Sequence, residues 1–500
     1  MKKNHFFTYS KMCVLALTGA STLFLASCAE DGYDEESFDN GVSNTQVASI
    51  STDDITITAS ADGKSQTISW PVVMGAGGYR VNLIDVSNPN EPIINDSIVD
   101  GCSVTGKREE DVNYRLTILA LGNKQKNNTD AAETTEKNFS TFTPTYKTIP
   151  AGSDLNEWFA ANPLPEENSD ENLNFDLEAD GQYTISGVLD FDGHAVTLRT
   201  NDKTKHAKIT YTTADAGITF TSAFNAKYLD FDCSGMVDNK GVFAFSAQTT
   251  VPAAKDVDPA RYKWAGPLVL KPIAIVSCNF DNVKGYFFWD NAGATKAACM
   301  TFLVDNCVVH LTPEKAIAGG VFWTNKGGHI NDLAVTNSTF WESDDCVGDY
   351  KYFYQAGMDK APDLYVDNTP AAAAATNSVT YDNSTFYHVT WNNGQWGNYN
   401  GMQSKTYSYW IMTDCIFYDC STSGSVPRRF LHGRANQPGA KFDNNTYMKN
   451  DGTFQDPQNY DTSGTIIEED PMFANPAAGD FHISGATQVA RKTGDPRWLP

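Results

Sequence analysis

Arg428, Arg429 and Arg434 form the compact basic group of a chain that carries 37 lysines and arginines against 61 aspartates and glutamates. β-Elimination from a uronate needs a base to take the proton α to the carboxylate and a cation to neutralise that carboxylate. An arginine and a calcium ion are the usual cations, and Asp344, Asp345 and Asp349 are hard oxygen ligands close enough in sequence to hold calcium. The three arginines are expected in a loop around Ser425-Val426-Pro427. Hydrolysis would instead take two or three carboxylates on neighbouring elements, and the sequence singles out no such set. Acid pairs are common in so acidic a chain, so solvated surface is the simpler reading of the acids. Two sets of aromatics point to binding rather than turnover. Trp391, Trp396 and Tyr399, with Tyr409, lie among Asn392, Asn393, Gln395 and Asn398, and flat rings beside amides suit the faces and hydroxyls of pyranoses.

A repeat must position these groups. Cys278-Asn279-Phe280 recurs as Cys307-Val308-Val309, Ser338-Thr339-Phe340, Ser384-Thr385-Phe386, Cys415-Ile416-Phe417 and Asn445-Thr446-Tyr447, at steps of 29, 31, 46, 31 and 30 residues. The residue before each is Ser277, Asn306, Asn337, Asn383, Asp414 or Asn444. Such a period, rich in β-branched and aromatic residues, predicts coils of a parallel β-solenoid stacked about 4.8 Å apart. Alternate strand residues face opposite ways. If Phe340, Phe386 and Phe417 point inward, then Trp341, Tyr387 and Tyr418 form an outer stripe, a second candidate sugar platform unless a loop covers it. Asp232-Cys233 reads as an earlier rung. The 45 residues to Cys278, and the 46 from Ser338 to Ser384, imply two inserted loops. The first carries Asp256, Asp258, Arg261, Tyr262, Lys263 and Trp264; the second carries the Asp344 group. They are expected to wall a cleft about 10–15 Å wide, from the coil spacing. Ser153 to Phe159 reads as a short capping helix with Ser153 as N-cap and Trp158 and Phe159 buried.

Residues from about 50 to 145 alternate apolar and polar in short runs, such as Tyr79-Arg80-Val81-Asn82-Leu83 and Tyr114-Arg115-Leu116-Thr117-Ile118, which predicts an antiparallel β-sandwich. Trp70-Pro71, Gly77-Gly78-Tyr79 and the strand opened by Tyr114 resemble a fibronectin type III domain. The resemblance implies that Trp70 fills the core between the sheets and that Tyr114 begins a central strand. The whole is therefore expected to be all-β, with a sandwich followed by a parallel β-solenoid, which the resemblance given below implies is a right-handed parallel β-helix.

The start of the chain reads as a targeting segment. Lys2, Lys3 and Lys11 precede an apolar run from Cys13 to Ala26, too short to span a bilayer comfortably. Leu25-Ala26-Ser27-Cys28 resembles a bacterial lipobox, which implies lipidation of Cys28. Glu30, Asp31, Asp34, Glu35, Glu36 and Asp39 follow. That block cannot bury enough apolar surface to fold, and it resembles the export signal of Bacteroidetes surface lipoproteins. Removing the three leader lysines takes the formal charge from −24 to −27, a field that repels nucleic acid and anionic membrane surfaces, and polyanionic glycans at long range. The ten cysteines include no CxxC pair, so buried free thiols are expected rather than zinc.

From Phe175 onward the chain resembles right-handed parallel β-helices of the pectate-lyase-like class. It is more similar still to two uncharacterised Bacteroidetes domain families that follow a fibronectin-like module on secreted lipoproteins. Asp470-Pro471-Met472-Phe473, Gly479-Asp480-Phe481-His482-Ile483 and Gly494-Asp495-Pro496-Arg497-Trp498 carry that resemblance. Pectate lyases place calcium-binding acids and a catalytic arginine on adjacent coils, and no run here reproduces their signatures. The expected organisation is a signal peptide (1–27), an acidic tether (28–48), a fibronectin type III-like sandwich (49–146) and the β-helix with its caps (150–500). The expected function is polysaccharide binding, pectic polymers first, by a lipoprotein anchored in the outer membrane and facing outward. Its partners would be a polysaccharide and a glycan-importer complex, with no nucleic acid and no required cofactor. The alternatives are a β-helix lyase on uronate glycans, with calcium and the three arginines, and a structural stalk or adhesin.

Overall fold

The computed structural model describes residues 41–500 apart from 167–170, 248–257, 265, 292–295, 325–326, 358–363, 400–401 and 403–404. Cys28, the leader, the six acids after it and Asp256 lie outside the described residues. The chain divides into two compact units between Ser140 and Thr141. No helix among the described residues is long and apolar enough to cross a membrane.

The first unit is a β-sandwich. Thr56–Ala59, Ser65–Ser69 and Ser103–Lys107 form an antiparallel sheet of three strands. Ile94–Val99, Ala76–Asp85, Asn113–Gly122 and Thr135–Ser140 form one of four, in that spatial order. Alternation along each strand sends one face into a shared core. Trp70 is buried there edge-on to Tyr79, with ring centroids 5.3 Å apart, and Tyr114 is buried near the start of a central strand.

The second unit is a parallel β-helix with three sheets, nine, seven and eleven strands each among the described residues. One coil shows the pattern: His329–Thr336 lies in the eleven-stranded sheet, Thr339–Glu342 in the nine-stranded and Tyr350–Ala356 in the seven-stranded. The turn between the first two explains the repeated phrase. Ser277, Asn306, Asn337, Asn383, Asp414 and Asn444 all have φ between 45° and 54°, a left-handed conformation that Asn and Asp tolerate better than other side chains. The next residue points inward and accepts an amide from the coil before it. Cys307 Sγ receives Cys278 N–H at 3.5 Å, Ser338 Oγ receives Cys307 N–H at 3.0 Å, Ser384 Oγ receives Ser338 N–H at 3.2 Å, and Asn445 Oδ1 receives Cys415 N–H at 3.0 Å. A buried amide without a partner is costly, so the position demands a small acceptor. Two residues on, Phe231, Phe280, Phe340, Phe386, Phe417 and Tyr447 stack in the core, with Phe231 and Phe280 4.7 Å apart and 3° from parallel. The eight described cysteines are free thiols.

Four expectations are corrected. The earlier rung is Leu229-Asp230-Phe231 and not Asp232-Cys233, because Phe231 pairs with Phe280 and Tyr228 takes the left-handed turn before it. The capping helix Leu155–Ala161 has Asp154, not Ser153, as N-cap, because the Asp154 carboxylate accepts Glu157 N–H. Trp158 and Phe159 do pack on Phe175. The eleven-stranded sheet starts earlier than the helix, with Lys147–Ile149 paired to Leu173–Leu177. The inserted loops do not face each other across a cleft but join. Tyr262 and Tyr365 bridge antiparallel, and Lys263 N–H and Val366 N–H donate to Leu364 and Arg261 carbonyls. The pair buries Leu268 and Leu364 against Ala298 on the outside of the helix. Apolar residues on both loops make closure over the sheet more favourable than standing open in water.

Candidate functional site

The outer stripe exists in the expected register, His310–Trp341–Tyr387–Tyr418–Met448, but it is not an open platform. Phe473, Phe481 and Trp498 from the end of the chain cover it. Phe481 lies 5.7 Å from Trp341 and 5.4 Å from Tyr387, and Phe473 lies 6.1 Å from Tyr418, between ring centroids. The carboxyl-terminal motif is the latch. Asp495 accepts Thr339 O–H at 2.8 Å and donates its N–H to Thr385 Oγ1, Trp498 donates its indole N–H to Thr339 Oγ1 at 2.8 Å, and Arg497 pairs with Asp495. Three large rings in a row on an outer face are too apolar to leave wet.

Trp396 and Tyr399, taken from their Asn- and Gly-rich surroundings as loop residues, are fully buried core residues. The strand Gln395–Asn398 turns Trp396 inward, where it stacks on Phe353 at 4.5 Å and 2°. Neither can meet a sugar. Trp391 is half-buried at the surface and remains a candidate. The calcium set does not assemble either. Asp344 and Asp345 are exposed while Asp349 is buried, its oxygens taken by Tyr350 N–H and Asn392 N–H at 2.7 Å each. Among the described residues no three His, Cys, Asp or Glu side chains are grouped as a metal site needs. Arg428 and Arg429 stand on a short helix, Val426–Phe430, rather than in a loop. Arg429 is spent on the Ser423 carbonyl, 2.5 Å away, and Arg434 is exposed.

What the structure brings together is a row that the repeat defines one position beyond the stripe: Glu342, His388, Asp419 and Lys449, on four successive coils. His388 Nδ1 is 2.8 Å from Asp419 Oδ2, with both side chains largely buried. Trp391 stacks on the imidazole at 4.7 Å and 12°, and its indole N–H donates to Glu342 Oε2 at 3.1 Å. On the far side of Asp419 opens a cleft of about 330 Å³, lined by Asp419, Thr422, Ser425, Arg428, Lys449, Asn450, Asp451, Gln455, Asp456 and Gln458. The carboxylates there are engaged already. Asp451 accepts from Thr453 N–H and O–H, Asp456 from Gln458 N–H, and Asp419 from His388. Lys449 helps to hold the Asp451 carboxyl below its ordinary range, after the Thr453 hydrogen bonds, and neither it nor Arg428 forms an ion pair among the described residues.

The electrostatics behind the cleft are unusual. Burial, then the neighbouring Asp349, pushes the Glu342 carboxyl well above its ordinary range, while the Trp391 N–H pulls the other way. Burial raises Asp349 to about 6 against three backbone N–H groups, and raises Asp495 in the latch to about 6 against Arg497. The folded chain thus holds protons that an unfolded one, with these aspartates at 3.8, releases. Stability from these groups is greatest below about pH 4 and is lost as pH rises through 6. The loss is on the order of 3 kcal/mol for each aspartate. Asp230 and Asp232, held below their ordinary values mainly by hydrogen bonds that outweigh burial, oppose it in strong acid. The urea midpoint is therefore expected to be higher at pH 5 than at pH 7.5. Equal midpoints would mean that these carboxyls are not buried as described.

Three family models match, each described as a domain of unknown function: DUF4992 over residues 1–181, DUF4957 over 181–343 and DUF5123 over 379–498. No curated protein matches. Among solved structures the chain is similar to pectate lyase PelI from Erwinia chrysanthemi, crystallised with tetragalacturonic acid. The identity is 10% over 68% of this chain and 88% of that one, with a TM-score of 0.19. A score that low carries no argument.

Proposed function

We propose that this chain is a cell-surface lipoprotein that binds polysaccharide in the cleft beside Asp419, with uronate-bearing polymers such as pectin its first candidates. The observation that carries the reading is the placing of two cations, Arg428 and Lys449, on one cleft wall, neither in an ion pair among the described residues. Two cations on one cleft wall suit a ligand carboxylate, the guanidinium by paired hydrogen bonds. Hydroxyl and amide side chains around them suit ring hydroxyls.

Anchoring rests on the lipobox resemblance at Cys28, outward exposure on the acids after it, and both fit a glycan-utilisation system of Bacteroidetes with an importer as partner. The fibronectin type III-like sandwich would then be a spacer. Cys28→Ala is expected to leave the washed membrane fraction, and its retention there would count against the anchor.

Binding is tested by affinity electrophoresis of the soluble 29–500 fragment through gels containing polygalacturonate or its methyl ester. Polygalacturonate is expected to retard the protein. Arg428→Gln should weaken that retardation roughly tenfold, the order expected when a hydrogen bond to a charged group is lost. Unretarded migration in both gels would sink the reading. A lyase is the second reading, favoured by a carboxylate–imidazole pair beside an arginine, and release of unsaturated uronides would establish it in place of simple binding.

A further inference from the structure

We infer that Asp419 is the hydroxyl-recognising residue of this cleft and that His388 is its positioning residue. The inference rests on the reading of the cleft as a saccharide site and assigns roles within it.

His388 and Asp419 occupy the same row on adjacent coils, and both are left-handed, with φ of 56° and 50°. That conformation is uncommon outside glycine, though asparagine, aspartate and histidine adopt it more readily than other residues, and here the imidazole meets the carboxylate at 2.8 Å. A carboxylate only accepts, so His388 Nδ1 carries the proton and donates. The ring is fixed on its other sides as well. Trp391 stacks over it, the Trp391 indole is tied to Glu342, and Asn392 N–H is tied to Asp349. His388 Nε2 is buried without a partner, so the arrangement serves the one bond to Asp419.

That bond takes Oδ2. Oδ1 has no partner among the described residues, and Asp419 lines the cleft. A carboxylate oxygen held rigidly at a cleft wall is an acceptor for the O–H groups along a pyranose edge. It would repel a ligand carboxylate, which leaves that group to Arg428 and Lys449 on the same cleft. The wall thus divides between an edge that reads hydroxyls and a pair of cations that reads charge.

The division gives an experiment with separable outcomes, run in the same polygalacturonate and methyl-ester gels. Asp419→Asn keeps the shape and the left-handed turn, and is expected to weaken binding about tenfold to both polymers, because both display the hydroxyls. Arg428→Gln should affect the acid polymer alone. His388→Asn places an amide N–H where Nδ1 was and tolerates the same turn, so it should bind within about threefold of the unaltered protein. His388→Leu should lose as much as Asp419→Asn, and the double variant should lose no more than either single change. Asp419→Asn binding within twofold on both polymers, or His388→Asn failing as badly as His388→Leu, would overturn the assignment while leaving the cleft as a binding site. If the unaltered protein binds neither polymer, the cleft reading fails and this inference with it.

Discussion

Replacing Trp396 by alanine is expected to destabilise the β-helix by about 3–5 kcal/mol, the usual cost of emptying a buried aromatic site. The indole is fully buried, parallel to Phe353 at 4.5 Å and edge-on to Phe386 at 4.9 Å, Phe417 at 5.0 Å and Tyr381 at 5.7 Å. Those rings belong to the stacks that run along the solenoid, so they cannot collapse into the space without breaking their own register. The test is a urea titration in which the midpoint falls at a constant slope. Trp391→Ala makes the contrast. That ring is half-buried and lies over His388, so its removal should loosen the cleft wall with little change in midpoint. A loss below about 1 kcal/mol for Trp396→Ala would mean that the ring is not packed as described. A glycan-binding defect in that variant without destabilisation would restore it to the binding surface.

The two tryptophans show what the sequence could and could not yield. Phase was legible wherever the repeat was unbroken. Phe340, Phe386 and Phe417 face inward, and Trp341, Tyr387 and Tyr418 face outward, because strand alternation is rigid once one residue is placed. The cover on the outer stripe was not legible. Its rings, Phe473, Phe481 and Trp498, come from more than fifty residues beyond Tyr418, and no local period links them to it. Trp396 was misread for a similar reason: four amides and two glycines around it look like a loop, yet coil stacking makes Gln395–Asn398 a strand. The row Glu342, His388, Asp419 and Lys449 was available all along. Aligning the repeated phrases on Ser338, Ser384, Cys415 and Asn445 puts these four in one column. Ionisable residues at one position of successive coils are neighbours about 4.8 Å apart. The column is hard to see because its members differ in size and charge, whereas the aromatic column beside it repeats one residue type.

Arg199→Ala is expected to cost about 3–5 kcal/mol, as breaking a buried ion pair by removing one partner does. Arg199 and Asp176 are level on the paired strands Val196–Thr200 and Leu173–Leu177, both buried, with Nε 2.8 Å from Oδ1. The guanidinium also donates to Thr143 Oγ1 at 2.7 Å and to the Thr143 carbonyl at 2.6 Å, and it lies 5.2 Å from the Phe142 ring. Asp176 holds Thr145 through its other oxygen. The pair therefore fastens the segment that opens the second unit to its first coils. Alanine would strand a carboxylate in a dry site and release that segment together. Much of the cost is the stranded charge rather than the lost attraction, which sets up the decisive comparison. Arg199→Met with Asp176→Leu removes both charges at similar volume and should recover most of the urea midpoint. It should not recover protection of residues 141–146 from proteolysis, because the bonds to Thr143 and Thr145 are gone. A double variant as unstable as Arg199→Ala would mean that the hydrogen bonds to the opening segment, and not burial of charge, dominate the site.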